Sequence, residues 1–193
     1  TDTWKKKQAN GDEKIKSLFI AFLNPDKEDK VTLENELAYW ANQKGVKPIK
    51  SYEVFEGVSK SNMPTREDVL KKINDTGADA IFVMTMRTSD TDPNNEKDNS
   101  AAFIVPWSVS FYGYYSNVFP LVYDPSYYRS DKIYYMESRL FDAKTEELLW
   151  SAKSETYNPA NFEGFVKSYM NTLFKQLEKD GIIKKTGNEP DYK

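Results

Sequence analysis

The 193-residue chain contains no histidine and no cysteine. Without histidine there can be no Ser-His-Asp or Cys-His catalytic arrangement and no His-ligated zinc or iron. Without cysteine there is no thiolate nucleophile, iron–sulfur cluster or disulfide. Arginine is scarce. Of 27 basic residues only Arg66, Arg87, Arg129 and Arg139 are arginines, and 30 acidic residues leave a net charge of −3. Bidentate phosphate and base readout depends on arginine and a positive field, so nucleic acid is not an expected partner. No apolar run approaches the roughly 18 residues that a membrane-spanning helix needs. The eight glycines form neither G-x-G nor a Walker-type loop, so no Gly-rich turn is available to cradle phosphate. No cofactor and no bound metal are expected.

Tyrosine is abundant. Eight of the 13 tyrosines lie between Tyr112 and Tyr135, with Trp107 and Phe111 just ahead of them. Tyrosine combines a large apolar ring with a polar tip, and suits either a wet-edged core or a recognition surface. A core rarely needs so many hydroxyls, so Trp107, Tyr112, Tyr114, Tyr115, Tyr123, Tyr127 and Tyr128 are the candidate binding residues. Tyr134 and Tyr135 fall in a strand pattern and are read as filling or rimming a sheet. On the surface reading, Ser at 114, 115, 127 and 128 together would leave stability nearly intact.

Patterning along the chain describes one α/β domain. Residues 1–15 are polar and unpatterned, with a Lys5–Lys7 run, and read as a flexible leader or tether. Leu18 to Leu23 is a continuous apolar run stopped by Asn24-Pro25, the signature of a strand buried on both faces. Residues 26–30 read as a charged loop. Thr32 then caps a helix over about 32–44 with apolar positions Leu33, Leu37, Trp40 and Ala41. A strand is expected over about 48–55. Thr65 and Asp68 form a capping box for a helix over about 65–76, ended by Gly77, and a strand over 79–87 follows. This βαβαβ start calls for right-handed crossovers and a locally parallel arrangement.

Residues 101–115, broken by Pro106 and Gly113, read as an irregular edge strand, and residues 117–131 as a long ordered loop. Residues 132–157 read as an antiparallel hairpin around Asp142–Glu147. Phe165, Val166, Tyr169, Met170, Leu173, Phe174 and Leu177 form the stripe of a final amphipathic helix over about 161–180 that must dock on the sheet. The expected fold is thus a single mixed β-sheet: a βαβαβ start, an antiparallel C-terminal hairpin and a final helix packed on it. The domain would span 16–183, followed by a polar tail, 184–193.

Two chemical readings compete with that of solvated or salt-bridged surface residues. Asp90 to Asp98 spaces oxygen ligands like a calcium loop. Asn95 stands where such a loop needs glycine, however, and Ala101 where it needs a bidentate glutamate. Glu137, Asp142, Glu146, Glu147 and Glu155 cluster in the hairpin without a spacing that sets two at a glycosidase separation.

The hairpin phrase Leu140-Phe141-Asp142-Ala143-Lys144-Thr145, turning into Leu148-Leu149-Trp150-Ser151, resembles one found in small bacterial cell-envelope lipoproteins. Gly77-Ala78-Asp79-Ala80 before a hydrophobic strand and Gly181-Ile182-Ile183 after the terminal helix are also usual there. The resemblance covers roughly residues 16–183 and is similar in pattern to the α/β domain of the curli-secretion channel lipoprotein. It implies a periplasm-facing location and a lipidated cysteine ahead of Thr1 as the only tie to a membrane. It supplies no catalytic residues. The functional expectation is a non-enzymatic envelope accessory domain that contacts an envelope protein or glycan through the tyrosine-rich segment. The rivals are a carboxylate-based hydrolase acting on cell-wall or exported polymer and a subunit of an envelope assembly.

Overall fold

The computed structural model describes residues 2–6, 15–58, 61–89, 105–106, 108–124, 133–157 and 161–184. The apolar run forms β2 (Ser17–Leu23), with β3 (Lys47–Lys50) and β4 (Ala80–Ser89) parallel on either side of it. Alternate residues serve two cores. Leu18, Ile20 and Phe22 face one helical layer, Phe19, Ala21 and Leu23 the other. β4 continues antiparallel into β5 (Ile133–Asp142), and β5 into β6 (Leu148–Tyr157), the expected hairpin. Among the described residues the strands form one six-stranded mixed sheet, in which the order β6-β5-β4-β2-β3 is completed by a further strand beside β6.

Its outermost strand, β1 (Asp2–Lys5), corrects the reading of residues 1–15 as a tether. These four residues pair antiparallel with β6, Trp4 opposite Ser151. Trp4 packs against one core, and the Lys5 ammonium donates to the Asp180 carbonyl at 2.8 Å. Four residues are too few to show a period, and β1 takes its order from the edge of β6.

Helix α1 (Lys27–Gln43) starts one turn earlier than expected, so residues 26–30 are not a loop. The Asp26 carboxylate accepts the N–H groups of Glu28 and Asp29 at 2.8 and 3.0 Å, and those two acidic residues favour the positive end of the helix dipole. β3 is shorter than 48–55 because Ser51–Val54 turns into a short helix, α2. The fully buried Glu34 of α1 holds that turn, accepting from the Phe22 N–H at 2.9 Å and the Ser51 hydroxyl at 2.7 Å. α3 (Arg66–Asp75) is capped by Thr65 as expected. α5 (Phe162–Lys179) buries all seven residues of its predicted stripe and packs with α1 on one face of the sheet, Trp40 stacked on Phe174 at 5.0 Å.

The largest departure is α4 (Phe111–Val122), on the opposite face beside α3. Sequence reading puts an irregular edge strand and a loop here. Ser110 instead caps a helix, its hydroxyl accepting the Gly113 N–H at 3.2 Å. Phe111, Tyr114, Tyr115, Val118, Phe119 and Val122 then recur at helical spacing on the buried side. The two apparent breakers fit. Pro120 sits in the last turn on the exposed side, and Gly113 allows an approach to Val109 that any Cβ would block.

Candidate functional site

The hairpin turn fixes the start of α4. Asp142 Oδ1 accepts the N–H groups of Lys144 and Thr145 at 2.8 and 2.7 Å, which closes the turn. Glu146 follows in the left-handed region, at φ 59°. Its carbonyl accepts the Phe111 N–H at 3.0 Å, its Oε2 accepts the Tyr112 N–H at 3.0 Å, and its Oε1 pairs with Arg66 of α3. One strained residue thus joins the hairpin, α3 and the N-terminus of α4.

Beneath α4 lies a cleft of about 690 Å³, within the range of small-molecule sites. Phe19, Ala21 and Val83 of the sheet form its floor, and Val69 and Ile73 of α3 form one wall. Phe111, Tyr115 and Phe119 of α4 line it from the other side. Asn24, Lys27, Lys30, Tyr52, Glu56 and Tyr123 supply its polar lining. The cleft extends past the C-terminal end of β2, between strands whose onward connections leave in opposite directions, where open α/β sheets commonly bind ligands.

The predicted binding residues do not share one surface. Tyr114 is fully buried: its hydroxyl donates to Glu137 Oε2 at 3.3 Å and lies 3.1 Å from Thr85 Oγ1. The Arg139 guanidinium sits over its ring, 4.2 Å from the centroid. Tyr115 is 8% exposed and lines the cleft. Tyr112 is half-buried against Tyr115, while Tyr123, also half-buried, stacks on Phe119 at 4.3 Å and lines the cleft. The expectation of an exposed contact surface therefore fails for Tyr114 and Tyr115. Trp107, Tyr127, Tyr128 and the Asp90–Asp98 loop lie outside the described residues.

The hairpin carboxylates are held in structural pairings. Glu137 accepts from Arg139 Nε and Nη2 at 2.9 and 2.8 Å, Glu147 pairs with Lys6 at 2.8 Å, and Asp142 and Glu146 build the turn. No group of acidic residues among the described ones could hold a metal ion, and no described helix is long and apolar enough to cross a membrane. Sequence reading missed Asn24, Phe119 and Val83 as site residues. Asn24 read only as a strand stop, and the other two belong to a pocket formed by residues far apart in the chain.

Burial raises the Tyr123 hydroxyl to about 12, helped by the charge of Glu34, and lifts Tyr114 and Tyr115 above the usual tyrosine range. The ordinary value is 10.0, so the unfolded chain loses these protons first as pH rises. The associated stability is fully present below pH 10.0 and is lost as pH climbs through about 12. Ultraviolet titration is expected to show part of the tyrosine set ionising only as the fold is lost. Complete ionisation near the ordinary value with the fold intact would contradict this placement.

No protein-family model matches the chain, and no curated protein matches it. Among solved structures, Lipoprotein GNA1162 from Neisseria meningitidis is similar at 13% identity and a TM-score of 0.44, over 84% of this chain and 96% of that one. The PelC dodecamer from Paraburkholderia phytofirmans is similar at 8% identity and a TM-score of 0.44, over 86% and 88%. Neither likeness is close enough to assign a family or a function.

Proposed function

We propose that this chain is a non-enzymatic binding domain of the bacterial cell envelope, and that the cleft under α4 receives an apolar part of its partner. The observation that carries this reading is the cleft itself: a deep apolar recess with a tyrosine rim, roofed by a helix that the hairpin turn locks in place. Recesses of this kind bind through apolar area, with a few polar groups to set orientation. The hairpin phrase around Asp142 and Trp150, which resembles envelope lipoproteins, supports the location and an N-terminal lipid anchor. An envelope component, a protein or glycan on the sequence reading, is the expected source of the partner. The hydrolase reading is less well supported, since Glu137 and Glu146 are each engaged by an arginine.

Methyl and amide resonances followed by NMR during titration with solubilised envelope fractions test this reading. Shifts should concentrate on Ala21, Val69, Ile73, Val83 and Phe119. Shifts confined to the opposite face, around α1 and α5, would overturn it.

A further inference from the structure

An unpaired amide and a cationic side chain gather at one end of a largely apolar cleft, and this arrangement narrows the ligand class if the binding reading above holds. From Phe19 to Asn24 the floor runs roughly 17 Å along β2 and past its end. At the Phe19 end the lining is Ile73, Val69 and Phe111, with Phe55 edge-on to Phe19 at 6.1 Å. At the Asn24 end stand Lys27 and Tyr123, and Tyr123 lies close enough to Glu34 of α1 to feel its charge.

The groups still able to bond at that end are donors. Asn24 is 3% exposed; its Oδ1 accepts the Asp26 N–H at 2.8 Å, while its Nδ2 has no acceptor among the described residues. An unpaired buried amide donor is a standing cost that an acceptor on a ligand would remove. Lys27 is exposed at the mouth and makes no ion pair among the described residues. Lys30 is already held by the Phe22 carbonyl at 3.0 Å and Glu34 at 3.2 Å. Glu56, the one acidic residue in the lining, follows Phe55, whose ring packs edge-on to Phe19.

We infer that the cleft takes a single acyl chain, its carbonyl or carboxylate head against Asn24, Lys27 and Tyr123 and its tail running beneath α4 toward Phe19 and Ile73. A sugar would leave its hydroxyls unpaired against the floor, and an acidic head without a tail would leave the recess empty. The chain could come from a free fatty acid or from an esterified lipid, since both present the same carbonyl and methylene run.

The probe is cis-parinaric acid, whose fluorescence rises on entering an apolar site, displaced by palmitic acid, its methyl ester, or a short-chain phosphatidylglycerol kept below its micelle concentration. The full chain should show saturable binding. Asn24→Asp keeps the acceptor for Asp26 but removes the donor, and should weaken binding about tenfold. Lys27→Ala should weaken the acid several-fold and leave the ester unchanged. Ala21→Leu, which fills the floor, should abolish binding; Tyr123→Phe, which keeps the ring, serves as a milder check if that variant folds poorly. Displacement at lower concentration by the ester and the phosphatidylglycerol than by palmitic acid assigns an esterified source, and the reverse a free one. Absence of saturable binding, or binding indifferent to Asn24→Asp and Ala21→Leu in folded protein, overturns the acyl assignment. Cleft-centred NMR shifts with envelope fractions would still stand in that case, so the two readings fail separately.

Discussion

Replacing Arg139 by Met is expected to destabilise the fold by about 3–5 kcal/mol, the usual cost of stranding one partner of a buried ion pair. Arg139 is fully buried on β5 and Glu137 is 2% exposed. The guanidinium donates twice to Glu137 Oε1, and also to the carbonyls of Val105 and Pro106 at 2.7 and 3.4 Å. Without it Glu137 keeps the Tyr114 hydroxyl and, at 3.9 Å, the partly exposed Lys153, too little to offset the desolvation of a carboxylate. Urea denaturation measures the loss. The double variant Arg139→Met, Glu137→Met should recover much of it, because the pair matters chiefly as two charges that need each other. A single variant within about 0.5 kcal/mol of the parent would mean the pair is solvated.

The second large effect concerns Tyr114. Tyr114→Ser should cost about 3–5 kcal/mol, the range for emptying a buried aromatic site. Tyr114→Phe, which loses only the bonds to Thr85 and Glu137, should cost about 1–2 kcal/mol. Tyr112→Ser, at a half-buried position, should cost clearly less than Tyr114→Ser. Equal and small effects for all three would restore the surface reading of this segment. Combined replacement of Tyr114, Tyr115, Tyr127 and Tyr128 by Ser, near neutral on the sequence reading, is now expected to unfold the domain through the first two alone.

That reversal shows where sequence reading reached its limit. β2, β4, the hairpin and α5 were legible because each buries a long patterned face: Leu18 to Leu23 on both sides, and the stripe from Phe165 to Leu177 on one. α4 carries an equally regular stripe from Phe111 to Val122, but Gly113 and Pro120 mask it, the one accommodating Val109 just ahead of the helix and the other sitting in its last turn. The hydroxyl of Tyr114 misled for a different reason. It is satisfied inside the core by Thr85 and Glu137, residues whose convergence depends on the pairing of β4 with β5. The cleft was illegible for the same reason, since its floor, walls and rim come from separate segments.

The central claim is that α4 roofs a cleft and turns Tyr114 and Tyr115 inward instead of presenting them as a contact surface. Nuclear Overhauser contacts of the Tyr114 ring test it most directly. The ring should contact the Thr85 γ-methyl and the Arg139 side chain, and the amides of 114–119 should exchange slowly as one helix. A Tyr114 ring without contacts to β4 or β5, on a segment whose amides exchange as fast as an unfolded chain, would contradict both the roof and the cleft beneath it.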